Sequence, residues 1–149
     1  MRTSLTAVFP AILLLAAGCA GTPARDDVRG SIAKLALAMV GVPYRYGGDD
    51  PREGFDCSGL VHYAYTSNGQ AVPRTSRAQF DAAREIPLEE AAPGDLLFFR
   101  DQEKLSHVGI YLGDRQFVHA PSSGDTVRVA SVDAPYYRRN LVAVGRLLP

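Results

Sequence analysis

Apolar and polar positions divide this chain into a helical first half and a strand-rich second half. Over residues 31–40, Ile32, Leu35, Ala36 and Met39 recur at helical spacing; Ser31 can cap the start, and Gly41 with Pro43 stops it. Over residues 56–68, Cys57, Leu60, Val61, Ala64 and Tyr65 fall on one helical face, with Asp56 as N-cap and Asn68-Gly69 as terminator. A shorter helix starts at Thr75 or Ser76 and runs through Gln79 and Phe80. Between the first two helices, Pro43 to Phe55 reads as a loop rich in Gly and Pro. After the turn signal Pro93-Gly94-Asp95 the pattern changes. Residues 96–99, 108–112, 116–120, 126–130 and 141–147 read as strands separated by turns. Helices first and strands later predict an α+β domain with N-terminal helices packed on an antiparallel sheet.

One predicted hairpin carries two histidines. Residues 107, 109 and 111 share one face of their strand, and 117 and 119 share one face of the next. Pairing Leu112 with Gln116 across a three-residue loop, Gly113-Asp114-Arg115, sets Ile110 opposite Val118 and Val108 opposite Ala120. His107 then lies diagonal to His119, with Gly109 leaving room between them. A two-residue turn alone would send the histidines to opposite faces. An odd-length loop or a bulge is therefore expected.

The first residues do not follow the globular pattern. After Arg2, the stretch Leu5 to Ala17 is apolar apart from Thr6, and Ala16-Ala17-Gly18 is a small-residue run. That is the pattern of a secretory signal over residues 1–18. Cys19 follows at once, and Leu15-Ala16-Ala17-Gly18-Cys19 resembles a bacterial lipoprotein processing site that acylates the cysteine. Ala20 stands beside the anchor, not Asp, which by resemblance to Gram-negative lipoproteins implies the outer membrane, with the domain facing the periplasm. Residues 19–30 are expected to tether a domain over 31–149, reaching about 40 Å at full extension.

Composition narrows the function. The chain has 149 residues, 46 % of them hydrophobic, which fits one ordinary domain with a real core. Sixteen basic and 16 acidic residues give no net charge, which argues against a nucleic-acid partner. There are two cysteines, Cys19 and Cys57. With Cys19 acylated, Cys57 has no partner, and an unpaired thiol in an exported protein is a candidate reactive group.

Cys57 opens a helix, where the positive end of the dipole favours a thiolate and free N–H groups can bind an oxyanion. Gly59 keeps the second turn slim enough for a substrate backbone. On Cys57 alone, a buried structural cysteine explains the position equally well. Of the three histidines, His62 points off the cysteine face, whereas His107 and His119 share the hairpin. A nucleophile, a base and an orienting group make up the constellation for covalent catalysis. The rival reading, a Cys/His/His zinc site, lacks both the ligand spacing and a fourth ligand, so neither metal nor cofactor is expected.

Five segments then point to a family. Pro43-Tyr44-Arg45-Tyr46-Gly47-Gly48, Asp56-Cys57-Ser58-Gly59, Pro93-Gly94-Asp95-Leu96, His107-Val108-Gly109-Ile110-Tyr111-Leu112-Gly113 and Phe117-Val118-His119-Ala120 occur in this order. Together they resemble the NlpC-type cell-wall cysteine peptidases, in particular the small lipoprotein members, from about Ile32 to about Arg146. The resemblance implies a circularly permuted papain-like fold, with Cys57 as nucleophile, His107 as base and His119 as orienting residue. It places Tyr44, or less well Tyr46, beside the oxyanion, and Asp56 and Ser58 in the subsite for the substrate's amino end. The substrates implied are peptidoglycan stem peptides, cut at D-Ala–diaminopimelate or γ-D-glutamyl–diaminopimelate bonds; the chain itself is expected to be a monomer. A catalytically silent peptidoglycan-binding lipoprotein, or an amidase or acyltransferase on the same scaffold, are the alternatives.

Overall fold

A computed structural model describes residues 25–122 and 124–148; Cys19 and the expected signal lie outside them. The first helix, α1, spans Arg25–Ala38, not the residues from 31 onward. The expected tether thus gives up its last residues to the helix. Two contacts extend it: Val28 packs against the main core, and Arg29 lies 4.0 Å from the buried Asp95 carboxylate. Long-range contacts of this kind leave no periodic mark in the local sequence. No helix among the described residues is long and apolar enough to cross a membrane.

Helix α2 spans Cys57–Thr66, and Asp56 caps it by accepting a hydrogen bond from the Gly59 N–H. Its predicted face is the buried one: Leu60, Val61, Ala64 and Tyr65 are at most 1 % exposed. Helix α3 spans Ser76–Ala82, with the Thr75 side chain accepting from the Ala78 N–H. The segment expected to be plain loop contains a two-stranded ribbon, β1 (Asp49–Asp50) paired with β2 (Gly54–Phe55). It is tied down further by Tyr44 N–H donating to Asp125 O and Arg45 N–H donating to Phe55 O.

The main sheet is antiparallel and six-stranded. Its strands are β3 (Arg84–Ile86), β4 (Leu96–Asp101), β5 (Lys104–Gly113), β6 (Gln116–His119), β7 (Arg128–Ser131) and β8 (Leu141–Arg146). Their spatial order is β3-β8-β4-β5-β6-β7. The α+β architecture, with helices on an antiparallel sheet, is the one expected. Strand β4 is buried on both faces, and its side chains alternate between two clusters. Leu96 and Phe98 face the core shared with α1 and α2; Leu97 and Phe99 face a second core with Tyr111, Phe117 and Val144. Each such buried side chain contributes about 1.5–3 kcal/mol. A fourth helix, α4 (Pro135–Asn140), adds Tyr137 to the second core. Neither β3 nor α4 was expected from the sequence.

The β5–β6 hairpin keeps Ile110 opposite Val118 as predicted, but Gly113, not Leu112, pairs with Gln116. The turn is therefore the two-residue form, with Asp114 and Arg115 at φ 50° and 58°. A register shift between Tyr111 and Gly113 supplies the extra residue. The bulge cancels the parity of the short turn, so both histidines stay on one side of the sheet.

Candidate active site

The site begins at the start of α2. Gly59 packs so closely that an added Cβ would lie 1.9 Å from the Gly48 carbonyl oxygen. The slim Gly59, which lies in the first turn, therefore admits the chain's own Gly48 backbone, rather than a substrate backbone as expected. The Gly48 carbonyl in turn accepts from the Asp56 N–H and from Arg74 Nη2. This contact locks the β1–β2 ribbon onto the first turn of the helix and fixes where Cys57 stands.

Asp56 is the hub of that turn. Its carboxylate accepts from the N–H groups of Gly59 and Gly47, the Ser58 hydroxyl, and both Nη1 and Nη2 of Arg74. Burial alone would raise its pKa, but Arg74, the Gly59 N–H and Ser58 outweigh burial and leave it lowered. Asp56 and Ser58 thus border the expected subsite with their polar atoms already engaged. Gln79, fully buried on α3, donates to the Ser58 and Pro73 carbonyls and holds the Arg74 segment against α2.

Cys57 is partly exposed and is the free thiol among the described residues. Its Sγ–H donates to the Ser106 carbonyl at 3.9 Å. Burial pushes the thiol pKa up; the Val108 N–H lowers it, the Asp56 charge raises it, and the N–H groups of Ser58 and of Cys57 itself lower it. The net shift is upward, against the expectation that a helix start would favour the thiolate. The helix end does aim N–H groups at the sulfur, but the desolvation of a lone anion is the larger effect. Ser106 and Val108 flank His107, so the thiol faces the backbone on either side of that histidine.

A β-bulge aims His107. Phe99 pairs with His107, but Arg100 already pairs with Leu105, leaving Ser106 as the extra residue. The His107 ring lies 5.9 Å from that of Phe99 and 5.0 Å from that of His119. His107 Nε2 is 2.7 Å from His119 Nδ1, the contact that the hairpin register predicts. The space over Gly109 is filled by Phe117, whose ring also packs on His119 at 4.9 Å. His119 is fully buried, and its Nε2 lies 3.3 Å from the Tyr137 hydroxyl. Burial lowers the pKa of His107 to about 4. Burial, then the charges of His107 and Arg128, lowers that of His119 to about 3. At neutral pH both rings are uncharged and the sulfur is a thiol.

Two hollows flank this centre and meet at Ser106. One, of about 490 Å³, is bordered by Tyr44, Tyr46, Asp56, Cys57, Ser58 and Arg74. The other, of about 530 Å³, is bordered by Phe99, His107, His119, Arg128, Tyr136 and Tyr137. Tyr44 packs against the core, and burial, then the neighbouring Cys57 and Asp56, raises its pKa, so its hydroxyl keeps its proton. Tyr46 is 88 % exposed. His62 sits further along α2 and takes no part in the pairing of the other two histidines. Among the described residues, no group of three or more His, Cys, Asp or Glu is placed to hold a metal ion. Arg74 and Tyr137 were not expected at the site. Arg74 has no spacing signal, and for Tyr137 the one hint was Pro135, a favoured first residue of a helix.

The NlpC/P60 family model matches residues 41–146. Murein DD-endopeptidase MepH of Escherichia coli is 38 % identical over 117 residues, which are 75 % of this chain and 43 % of that protein. The bifunctional muramidase/DL-endopeptidase CwlT of Bacillus subtilis is 37 % identical over 81 % of this chain and 37 % of its own. The chain thus spans under half the length of these curated relatives. Among solved structures, a lipoprotein-like NLP/P60 protein of Staphylococcus aureus superposes with a TM-score of 0.76 at 35 % identity, covering 88 % of this chain and 45 % of that one. The NlpC/p60 domain of peptidoglycan hydrolase SagA gives 0.69 at 34 % identity, covering 79 % of this chain and 97 % of that domain. The helices packed on an antiparallel sheet are the α+β papain-like arrangement of these domains. By the family model, the relatives and the fold together, the chain belongs to the NlpC/P60 family.

Proposed function

We propose that the chain is a cysteine endopeptidase that cleaves peptidoglycan stem peptides. The observation that carries this reading is the 2.7 Å contact between His107 Nε2 and His119 Nδ1, beside a thiol at a helix start. With Nε2 engaged, His107 has Nδ1 left to take the Cys57 proton. The thiol and imidazole are each neutral at rest, so proton transfer and attack on the carbonyl are linked, and the resulting ions stabilise each other in a partly closed site. The oxyanion forms beside the N–H groups of Cys57 and Ser58 and within reach of the Tyr44 hydroxyl. His107 then gives the proton to the leaving amine, and water attacks the thioester to release the acyl product.

In this reading the Tyr44 hollow holds the amino-terminal side of the substrate. Asp56 and Ser58 set its shape and charge through their bonds to Arg74, rather than by offering a free oxygen. Relatives are named as a murein DD-endopeptidase and as a γ-D-glutamyl-L-lysine dipeptidyl-peptidase, which supports a peptide bond of peptidoglycan as the target; the candidates in this reading remain the D-Ala–diaminopimelate and γ-D-glutamyl–diaminopimelate bonds. Digestion of purified muropeptides with mass readout identifies the bond. Binding without cleavage would favour the silent-binder alternative instead.

We further propose that Cys19 carries a lipid that holds the protein at the outer membrane, facing the periplasm. The support is the apolar run before Ala16-Ala17-Gly18-Cys19. Radiolabelled palmitate should enter the wild type and not Cys19→Ser. An unlabelled, soluble wild type would refute the anchor.

A further inference from the structure

Beyond the three residues assigned to chemistry, the hydrogen-bond chain has a fourth member. We propose that Tyr137 is a positioning residue that selects the working tautomer of His107 by accepting a hydrogen bond from the Nε2–H of His119. This rests on the reading of Cys57 as nucleophile and His107 as base.

His119 is fully buried, so both ring nitrogens must find partners inside the protein. Nδ1 has His107 Nε2 at 2.7 Å and Nε2 has the Tyr137 hydroxyl at 3.3 Å. Two proton arrangements satisfy both contacts. In one, His107 Nε2–H donates to His119 Nδ1, and His119 Nε2–H donates to the Tyr137 oxygen. In the other, Tyr137 donates to His119 Nε2, and His119 Nδ1–H donates to His107 Nε2. The second puts the His107 proton on Nδ1, the nitrogen that has to accept from Cys57. Only the first leaves a base.

Tyr137 favours the first arrangement because its hydroxyl can accept from His119 while its own hydrogen turns to the hollow it borders. Phe99 and Phe117 grip its ring edge-on at 5.4 and 5.0 Å, so the oxygen is held in place without that hydrogen bond. Removing the hydroxyl would orphan a buried N–H in the first arrangement but only a lone pair in the second. An orphaned N–H is the costlier of the two. Loss of the hydroxyl therefore tips His119 to its Nδ1–H form and blocks His107.

The test uses Tyr137→Phe, which keeps the ring, with ring-nitrogen NMR and steady-state kinetics on the full chain. In the wild type, His107 and His119 should both be protonated at Nε2 and not at Nδ1. In Tyr137→Phe, His119 should move its proton to Nδ1, while kcat falls at least about 10-fold, toward the about 10⁴-fold of a wrong tautomer, with KM within about twofold. In a His119→Gln background, Tyr137→Phe should cost almost nothing further, because Tyr137 acts only through His119. Wild-type His119 protonated at Nδ1, or an unchanged kcat in Tyr137→Phe, would overturn the proposal. So would an equal loss in both backgrounds, the mark of a merely structural ring. Retained cleavage by Cys57→Ala would instead sink the catalytic reading, and leave the NMR result to stand or fall alone.

Discussion

Lowering the pH from 7 to 5 should destabilise the fold through the histidine pair. In the unfolded chain each histidine takes a proton near pH 6.5. In the fold, burial holds His107 at about 4 and His119 at about 3. A depressed folded pKa stabilises the protein above the unfolded value, and that stability is lost as pH falls below it. Each histidine loses about 1.4 kcal/mol per pH unit once the unfolded state is protonated and the fold is not. Between pH 6.5 and 5 this is about 2 kcal/mol per histidine and about 4 kcal/mol for the pair, a large share of an ordinary domain's 5–15 kcal/mol. Carboxylates with lowered pKa values, such as Asp56, enter only at more acid pH. Urea unfolding at pH 7, 6 and 5 should show the loss in the wild type and about half of it in His119→Gln. Equal acid sensitivity in the wild type and in His107→Asn/His119→Gln would refute the reasoning, as would NMR titration midpoints near 6.5 for both rings.

His107→Ala should keep almost no activity, whereas His119→Gln should keep a measurable fraction, because an orienting group can be replaced by another acceptor; equal activities would overturn the division of roles. Because burial raises the lone thiol's pKa, its reactivity depends on handing a proton to His107. Iodoacetamide at pH 7 should therefore label Cys57 about 10-fold more slowly in His107→Ala than in the wild type, and equal labelling would show the thiolate to be independent of the histidine. Gly59→Ala drives a Cβ to 1.9 Å from the Gly48 oxygen, which accepts from Asp56 N–H and Arg74. Overpacking with loss of these bonds should cost about 2–4 kcal/mol by chemical denaturation, and a cost under about 0.5 kcal/mol would show that the loop does not bear on the helix.

What the sequence made legible was what local periodicity carries. Helix α2 was readable because Leu60, Val61, Ala64 and Tyr65 repeat at helical spacing behind a capping Asp56. The His107–His119 contact was readable because strand parity limits which faces the two rings can share. The bulge was one of the two expected devices; it comes with a two-residue turn in place of the three-residue loop, and both satisfy the same parity. Strand β3 escaped because it is a three-residue edge element with Arg84 and Glu85 exposed. Helix α4 escaped because it buries none of its residues fully and so has no apolar period. Arg74 and Tyr137 reached the site through contacts 18 residues away along the chain, to Asp56 and His119. The raised thiol pKa was equally hidden, since burial depends on the assembled core and not on the helix start.

The most direct measurement is the mass of the products when purified muropeptides are incubated with the wild type and with Cys57→Ala. Cleavage of one peptide bond by the wild type and none by Cys57→Ala is expected, with the variant's melting temperature close to wild type because the substitution removes little volume. Full cleavage by a folded Cys57→Ala protein, or release of products from the glycan strand with the stem peptides intact, would contradict the assignment.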